Sequence, residues 1–386
     1  MRKERVKGDM TGEMMIRVGI VTDGEPSLHT IEGGLTVVRN QLIGKDFHWQ
    51  QTREAVLPGK IEILDGIASD GVRLINTLPL EKYLEIVVGS EMNPSAPSEF
   101  LKTHAILSRS WAIGKILRCH QEGSAGKTEK DNLHIGWDDT ADHNGFHVCA
   151  DDHCQRYQGI TDISPQGQAA IRETAGIILT DSLGEPVDAR FSKCCGGHTE
   201  LFSTCWQDVT PPGLTARPDP WCDLSAMDSK QRGDLLSVIL KDYDRGHDLD
   251  FHTWEESVDK RFIANRLREL FNIEIGERAE QLFPLATGPS GRHHLLRIIG
   301  DKAEATIGKE LHIRRVLSKS HLKSSAFSVL DEGDIFHLKG RGWGHGVGLC
   351  QIGAARMALT HNHTEILRYY FPDAQLSPLP APLTIQ

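Results

Sequence analysis

Between Ile16 and about Asn76 the apolar positions fall in short runs rich in Val and Ile. IRVGIV, KIEILDG and VRLIN are parted by Gly and Asp, which predicts mostly strands. The spacing then changes. In LPLEKYLEIVVGSEM, residues Leu80, Leu84, Val87 and Val88 recur at helical intervals, Pro79 suits a first helical turn, and Glu81, Lys82 and Glu85 fall on other faces. NPSAP breaks the pattern. SEFLKTHAILSRSWAIGKILRC predicts a second helix with Ser98 as its cap. It is apolar or small on most sides, so it belongs at the centre of a domain.

Residues 120–145 read as a polar loop, and PVDARFSKCCGGHTELF as a strand that enters a Gly-Gly turn and leaves again. Residues 207–250 read as Pro-rich loop with one amphipathic helix around Leu235. Helix is expected over 262–272 and in GKELHIRRVLS, strand in HHLLRIIG and DIFHLKG, and a loose tail in LPAPLTIQ. No repeat is visible. Strands and helices mix without regular alternation, which predicts an α+β fold around a buried central helix.

Composition narrows this picture little. With 386 residues the chain can form two or three packed units, and 39% hydrophobic with 25% charged residues is ordinary for a globular protein. The net charge of -10 argues against a nucleic-acid partner. No apolar run is long enough to cross a bilayer, and the basic start MRKERVKGDM develops no secretory apolar stretch. Eight cysteines, unevenly spaced, do not make a disulfide scaffold at this length.

Four places carry candidate chemistry. Extending the stripe Leu80, Leu84, Val87 lands on Glu91, a carboxyl where an apolar side chain is expected; burial would raise its pKa towards that of a proton donor. On the residues alone the simpler reading ends the helix at Gly89 and leaves Glu91 solvated. Lys102 and Arg109, two turns apart on the second helix, need partners if buried; Glu91 is a candidate, and a surface position for Lys102 is the alternative. In HNGFHVCADDHCQRY, His143, Cys149, His153 and Cys154 offer a tetrahedral zinc set, with His147 and His134 as rivals and a His-rich surface loop as the plain alternative. Cys194, Cys195, Cys205 and Cys222 are candidates for disulfides in an oxidising compartment, or for buried free thiols. Finally, RGWGHGVGLCQIGAARMA crowds glycine around Trp343 and His345, as backbone does where it turns sharply or approaches a ligand. Nucleotide binding is unsupported: EGSAGKT has Gln121 where a Walker loop needs its first glycine. Cys350 and His345 make no convincing nucleophile pair, since no carboxylate orients them.

Taken in order, LPLEKYLEIVVGSEM, LKTHAILSRSWAI, GGHTE and GRGWGHGVGLCQIGAARMA resemble the successive signatures of the stage II sporulation protein D (SpoIID/LytB) family. The resemblance spans roughly Ile61 to Pro372. It implies a SpoIID-like catalytic region over 61–372, with a His/Cys loop at 131–159 and a connecting region at 207–300. A mostly β segment (1–60) precedes it and a tail (373–386) follows. The activity implied is that of a lytic transglycosylase cleaving the MurNAc–GlcNAc strands of denuded peptidoglycan to 1,6-anhydro products. The family's catalytic glutamate falls on Glu91, and Arg109 matches an arginine of the second motif. The loop similarity implies structural zinc on His143, Cys149, His153 and Cys154. Gly196, Gly197, Thr199, Glu200, Trp343, His345 and Gln351 are expected to contact the glycan, and tight packing around Trp343 is the structural alternative. His104 and Cys350 depart from the family's glutamine and serine, so neither receives a role. A non-catalytic wall binder or an enhancer of a cell-wall amidase is the rival reading. The family's place is the cell envelope, periplasm or exterior, although no export signal is visible.

Overall fold

The computed structural model describes residues 13–45, 50–64, 71–118, 127–130, 132–137, 143, 145–239, 241 and 251–379. Most of EGSAGKT and the end of the tail therefore lie outside the described residues. Helices and strands are mixed in several small sheets, giving the α+β class expected.

The first sheet has the order Lys60–Ile63, Val72–Pro79, Met15–Val21, Val148–Cys149. Its first three strands are antiparallel, and the short fourth runs parallel to Met15–Val21. Ile16, Val18 and Ile20 alternate inwards, as a half-buried strand requires. Pro79 ends its strand and caps the first helix, α1 (Leu80–Glu91), where its missing N–H costs nothing. This helix does not stop at Gly89. A Cβ there would stand 2.7 Å from the Asp162 carbonyl oxygen, so Gly89 is the point at which another backbone crosses the helix. Glu91 is the last helical residue.

Helix α2 (Ser98–Arg118) is the central one: every residue from Phe100 to Ile116 except Lys102 is buried. Ser98 is its first residue rather than its cap, and the Leu101 N–H already bonds the Pro97 carbonyl. Around α2 lies a large apolar core that gathers Ile16, Leu84, Val87, Ile106 and Leu107, then Val347, Ile352, Ile366 and Phe371 from far along the chain.

A second core, from Trp254 to Leu338, lies between helices and two further sheets. One of these has the order Ala279–Thr287, His293–Gly300, Glu304–Gly308, Leu133–Gly136, Lys127–Lys130. The expected loop at 120–145 thus contains two strands. Leu133–Gly136 pairs with Glu304–Gly308, a partner too distant in sequence to leave a local signature. Two more expectations change. After its Gly-Gly turn GGHTE leads into the short helix Phe202–Cys205 instead of a second strand, and the tail begins with the strand Gln375–Pro378, paired to Ile177–Thr180. No helix among the described residues is long and apolar enough to cross a membrane.

Candidate functional site

Glu91 sits at the negative end of α1, which disfavours a carboxylate there. The residue is half-buried, and burial is the largest influence on its carboxyl, raising its pKa above the ordinary 4.5. The charge of Arg156 opposes the rise, Asp152 adds to it, and the Arg156 N–H and the charge of Lys193 lower it again. Glu91 Oε1 accepts that N–H at 2.9 Å. Asp152 is bound to the same arginine, 2.5 Å from Arg156 Nε. The segment that carries these groups is docked on α1 by the Gln158 N–H to Ser90 Oγ (3.0 Å) and Tyr83 Oη to Gln155 Oε1 (2.9 Å).

Lys102 and Arg109 of α2 pair with other carboxylates than Glu91. Arg109 is fully buried and grips Glu81 with two 2.8 Å bonds, while its remaining donors reach the Ile177 and Ile171 carbonyls. It ties α1 to α2 at the end of α1 opposite Glu91. Lys102 is half-buried and pairs with Glu99 at 2.9 Å and Glu173 at 2.8 Å.

The glycine-rich loop folds around an arginine that the sequence did not single out. Arg292 is fully buried, and its guanidinium donates to the carbonyls of Gly344 (2.9 Å), Cys195 (2.9 Å) and Cys194 (3.4 Å) and to Ser290 Oγ (2.9 Å). Ser290 Oγ donates in turn to Glu200 Oε2 at 2.5 Å, and the other Glu200 oxygen accepts from the Leu201 N–H and Thr204 Oγ1. Glu200 and Thr199 are both 1% exposed; Thr199 Oγ1 is engaged with the Arg217 backbone. These two therefore brace the loop from within. Gly342, at φ +77, shows why glycine is needed: a Cβ would stand 3.0 Å from the Cys194 and Cys195 carbonyl oxygens. Gly196 and Gly197, both at positive φ, form the turn facing it.

Trp343 and His345 part company. His345 packs edge-on against Trp206 at 5.0 Å, its Nδ1 accepts the Val347 N–H at 3.0 Å, and it bonds the Phe191 backbone. Burial, with the charges of Arg190, Arg292 and Arg314, holds its pKa down to about 3. Trp343 instead faces Phe251 at 5.0 Å and Lys323 at 5.8 Å. It lines a cleft of about 910 Å³ with Trp254, Phe327, Lys323, Lys339 and Arg341. Gln351 is buried at the start of the helix Gln351–Met357.

Lys193 belongs to the Trp343 side of the molecule, and its charge is felt at Glu91. Its neighbour Cys194 pairs backbone to backbone with Trp343, its own carbonyl accepts the Ile352 N–H at 3.1 Å, and its ammonium lies 5.8 Å over the Phe251 ring. Its charge reaches both Glu91 and His104. Nothing in SKCCGG distinguishes this lysine from a solvated one; pairing across some 150 residues of chain places it. His104, between the rings of Phe100 and Phe191, has no hydrogen-bond partner on either nitrogen among the described residues. Burial and Lys193 hold its pKa at about 3, so it is a neutral ring.

Beside the Glu91 segment stands the His/Cys group. The ligand atoms of His143, Cys149, His153 and Cys154 all lie within 4.8 Å of one another. Cys149 Sγ is 3.7 Å from His153 Nδ1, and Cys154 Sγ is 3.6 Å from the same nitrogen and 3.9 Å from His143 Nε2. A zinc ion with its usual bond lengths needs sulfur–nitrogen edges of about 3.6 Å. The rivals are elsewhere: His147 Nδ1 accepts the Arg17 N–H, and His134 bonds His312.

Comparison with known proteins finds two matched regions. Residues 68–180, which include Glu91 and the His/Cys group, match the family model described as stage II sporulation protein; residues 200–348 match a domain of unknown function. The chain is 27% identical over 312 residues to stage II sporulation protein D of Bacillus subtilis (strain 168), covering 78% of this chain and 76% of that protein. It is 24% identical over 311 residues to stage II sporulation protein D of Bacillus amyloliquefaciens, covering 78% and 75%. An amidase enhancer of Bacillus subtilis (strain 168) is 24% identical over 231 residues, covering 54% of this chain and 32% of that protein.

Proposed function

We propose that this chain, whose residues 68–180 match the stage II sporulation protein model, works at the bacterial cell wall as a lytic transglycosylase on denuded peptidoglycan strands, with Glu91 as the single acid and base. The observation that carries this reading is the carboxyl of Glu91 at the end of α1, raised in pKa by burial and held by the Arg156 N–H. Protonated Glu91 donates to the glycosidic oxygen as the C1–O bond breaks. The sugar's own 6-hydroxyl then attacks C1, and the carboxylate takes the hydroxyl proton. One acid thus serves twice and no water is consumed. A hydrolase would need a second carboxyl as base or nucleophile. The neighbouring Asp152 is ion-paired to Arg156, which suits it poorly to either task. In the cleft, the Trp343 ring with Lys323 and Arg341 suits a sugar chain bearing carboxylates, while Lys339 is paired there to Glu255 at 3.2 Å.

The test is incubation of the purified protein with denuded glycan strands, followed by mass spectrometry of the fragments. Anhydro ends support the reading. Reducing ends would show hydrolysis, and binding without fragments would leave a wall binder or amidase enhancer, the role named for one relative. Lys193 offers a finer test. Its charge lowers the pKa of Glu91, so Lys193→Met should raise that pKa and carry activity to higher pH. An unchanged alkaline limb in the pH profile would remove Lys193 from the site.

We further propose that His143, Cys149, His153 and Cys154 hold a structural zinc ion, four protein ligands leaving no open position for catalysis. Cys154 is two residues from Arg156, so the ion would fix the backbone N–H that holds Glu91. Replacing Cys149 and Cys154 together by serine is expected to remove one equivalent of zinc by elemental analysis and to lower cleavage at least tenfold. Full metal retention would refute the assignment.

A further inference from the structure

Three chain segments meet behind the glycine-rich loop, and they bring a second set of metal-binding groups together. Cys195, Asp219, Cys222 and Cys350 are each no more than 1% exposed, and their ligand atoms all lie within 4.8 Å of one another. Cys195 Sγ is 3.5 Å from Cys222 Sγ and 3.2 Å from Asp219 Oδ2. A tetrahedral zinc ion with three sulfurs and one oxygen has edges of about 3.6–3.8 Å, a few tenths of an ångström longer. Without a cation the arrangement is costly. Three thiols and a carboxyl share a buried space, where ionised groups repel one another and thiols make only weak hydrogen bonds.

The surroundings are arranged for thiolates. Backbone N–H groups point at two of the sulfurs: Gly197 to Cys222 at 3.0 Å, and both Cys195 (3.3 Å) and Gly353 (3.4 Å) to Cys350. Asp219 is oriented by the Trp221 N–H on Oδ1 and by Tyr370 Oη on Oδ2, each at 3.0 Å. Such outer partners fix ligand direction and charge around bound metals. Access is available as well, because Cys222 and Ile352 line a pocket of about 280 Å³ together with His252 and Phe251. A Cys195–Cys222 disulfide would engage only two of the four groups and leave Cys350 facing a buried acid.

We propose that Cys195, Asp219, Cys222 and Cys350 form a second, structural zinc centre, separate from the His/Cys group and independent of the catalytic reading. The ion would join the Gly196–Gly197 turn, the loop at 219–222 and the end of the glycine-rich motif, which together back the wall containing Lys193 and Trp343.

The test uses the full chain with Cys149→Ser and Cys154→Ser, purified under reducing conditions, so that the first group is disabled. Elemental analysis is expected to find one equivalent of zinc, against two in the wild type, and adding Cys222→Ser should bring it near zero. X-ray absorption at the zinc edge should then show three sulfur neighbours and one oxygen. If the double variant fails to fold, the wild type decides. Two equivalents with five sulfurs per pair of ions support the proposal, whereas one equivalent with two sulfurs and two nitrogens overturns it. Zinc-free double variant in which every cysteine alkylates after denaturation also overturns it. So does a mass deficit of two hydrogens showing a Cys195–Cys222 disulfide.

Discussion

Replacing Glu91 by glutamine is expected to cut the release of anhydro fragments by about 10²–10⁴-fold, the usual contribution of a positioned general acid and base. Glutamine keeps the shape and can still accept the Arg156 N–H, so glycan binding should change little and the loss should fall on turnover. Stability should move the other way. Burial raises the carboxyl's pKa in the folded state, so the acid supports folding while protonated. That support is present below the ordinary value of 4.5 and is lost as pH rises through the folded pKa. Glutamine is neutral throughout. The variant should therefore unfold at a higher temperature than wild type at pH 7, with the gap closing in acid. Cleavage equal to that of wild type would end the proposal for Glu91, and a variant less stable at pH 7 would contradict its desolvation.

The second large effect is expected at Arg292. Lysine there keeps the charge but loses the planar fork that serves Gly344, Cys195, Cys194 and Ser290 at once. Buried carbonyls would be left without donors, and the Ser290 link to Glu200 would lose its cation. We expect Arg292→Lys to cost about 3–5 kcal/mol, read from chemical denaturation. A loss below about 1 kcal/mol would show that the glycine-rich loop holds its shape by other means.

Much of this is legible in the sequence wherever the signal is local. The stripe Leu80, Leu84, Val87 and the all-round apolar character of Phe100–Ile116 come from packing against near neighbours, and both helices stand where spacing put them. Glu91 was visible as a carboxyl out of pattern. What spacing could not reveal depends on chain segments that meet from afar. Lys193 acquires its position from Trp343 and Ile352, and the partner of Arg109 is Glu81 on the preceding helix instead of Glu91. Glu200, expected from the resemblance to contact the glycan, is instead buried against Ser290, which stands 90 residues away. The glycines drew attention for closeness of approach, and at Gly342 what approaches is the protein's own backbone.

The two cores are interleaved along the chain. Trp254 through Leu338 build the second, and only afterwards do Val347, Leu349, Ile352, Ile366 and Phe371 return to the first. As the polypeptide leaves the ribosome, the later unit has most of its own residues in hand before the earlier one can close. Until then the flank of α2 that these last side chains cover is wet. Maturation of the Glu91 end thus waits for the final stretch of synthesis, and a nascent protein halted before residue 347 carries its acid on an unfinished scaffold.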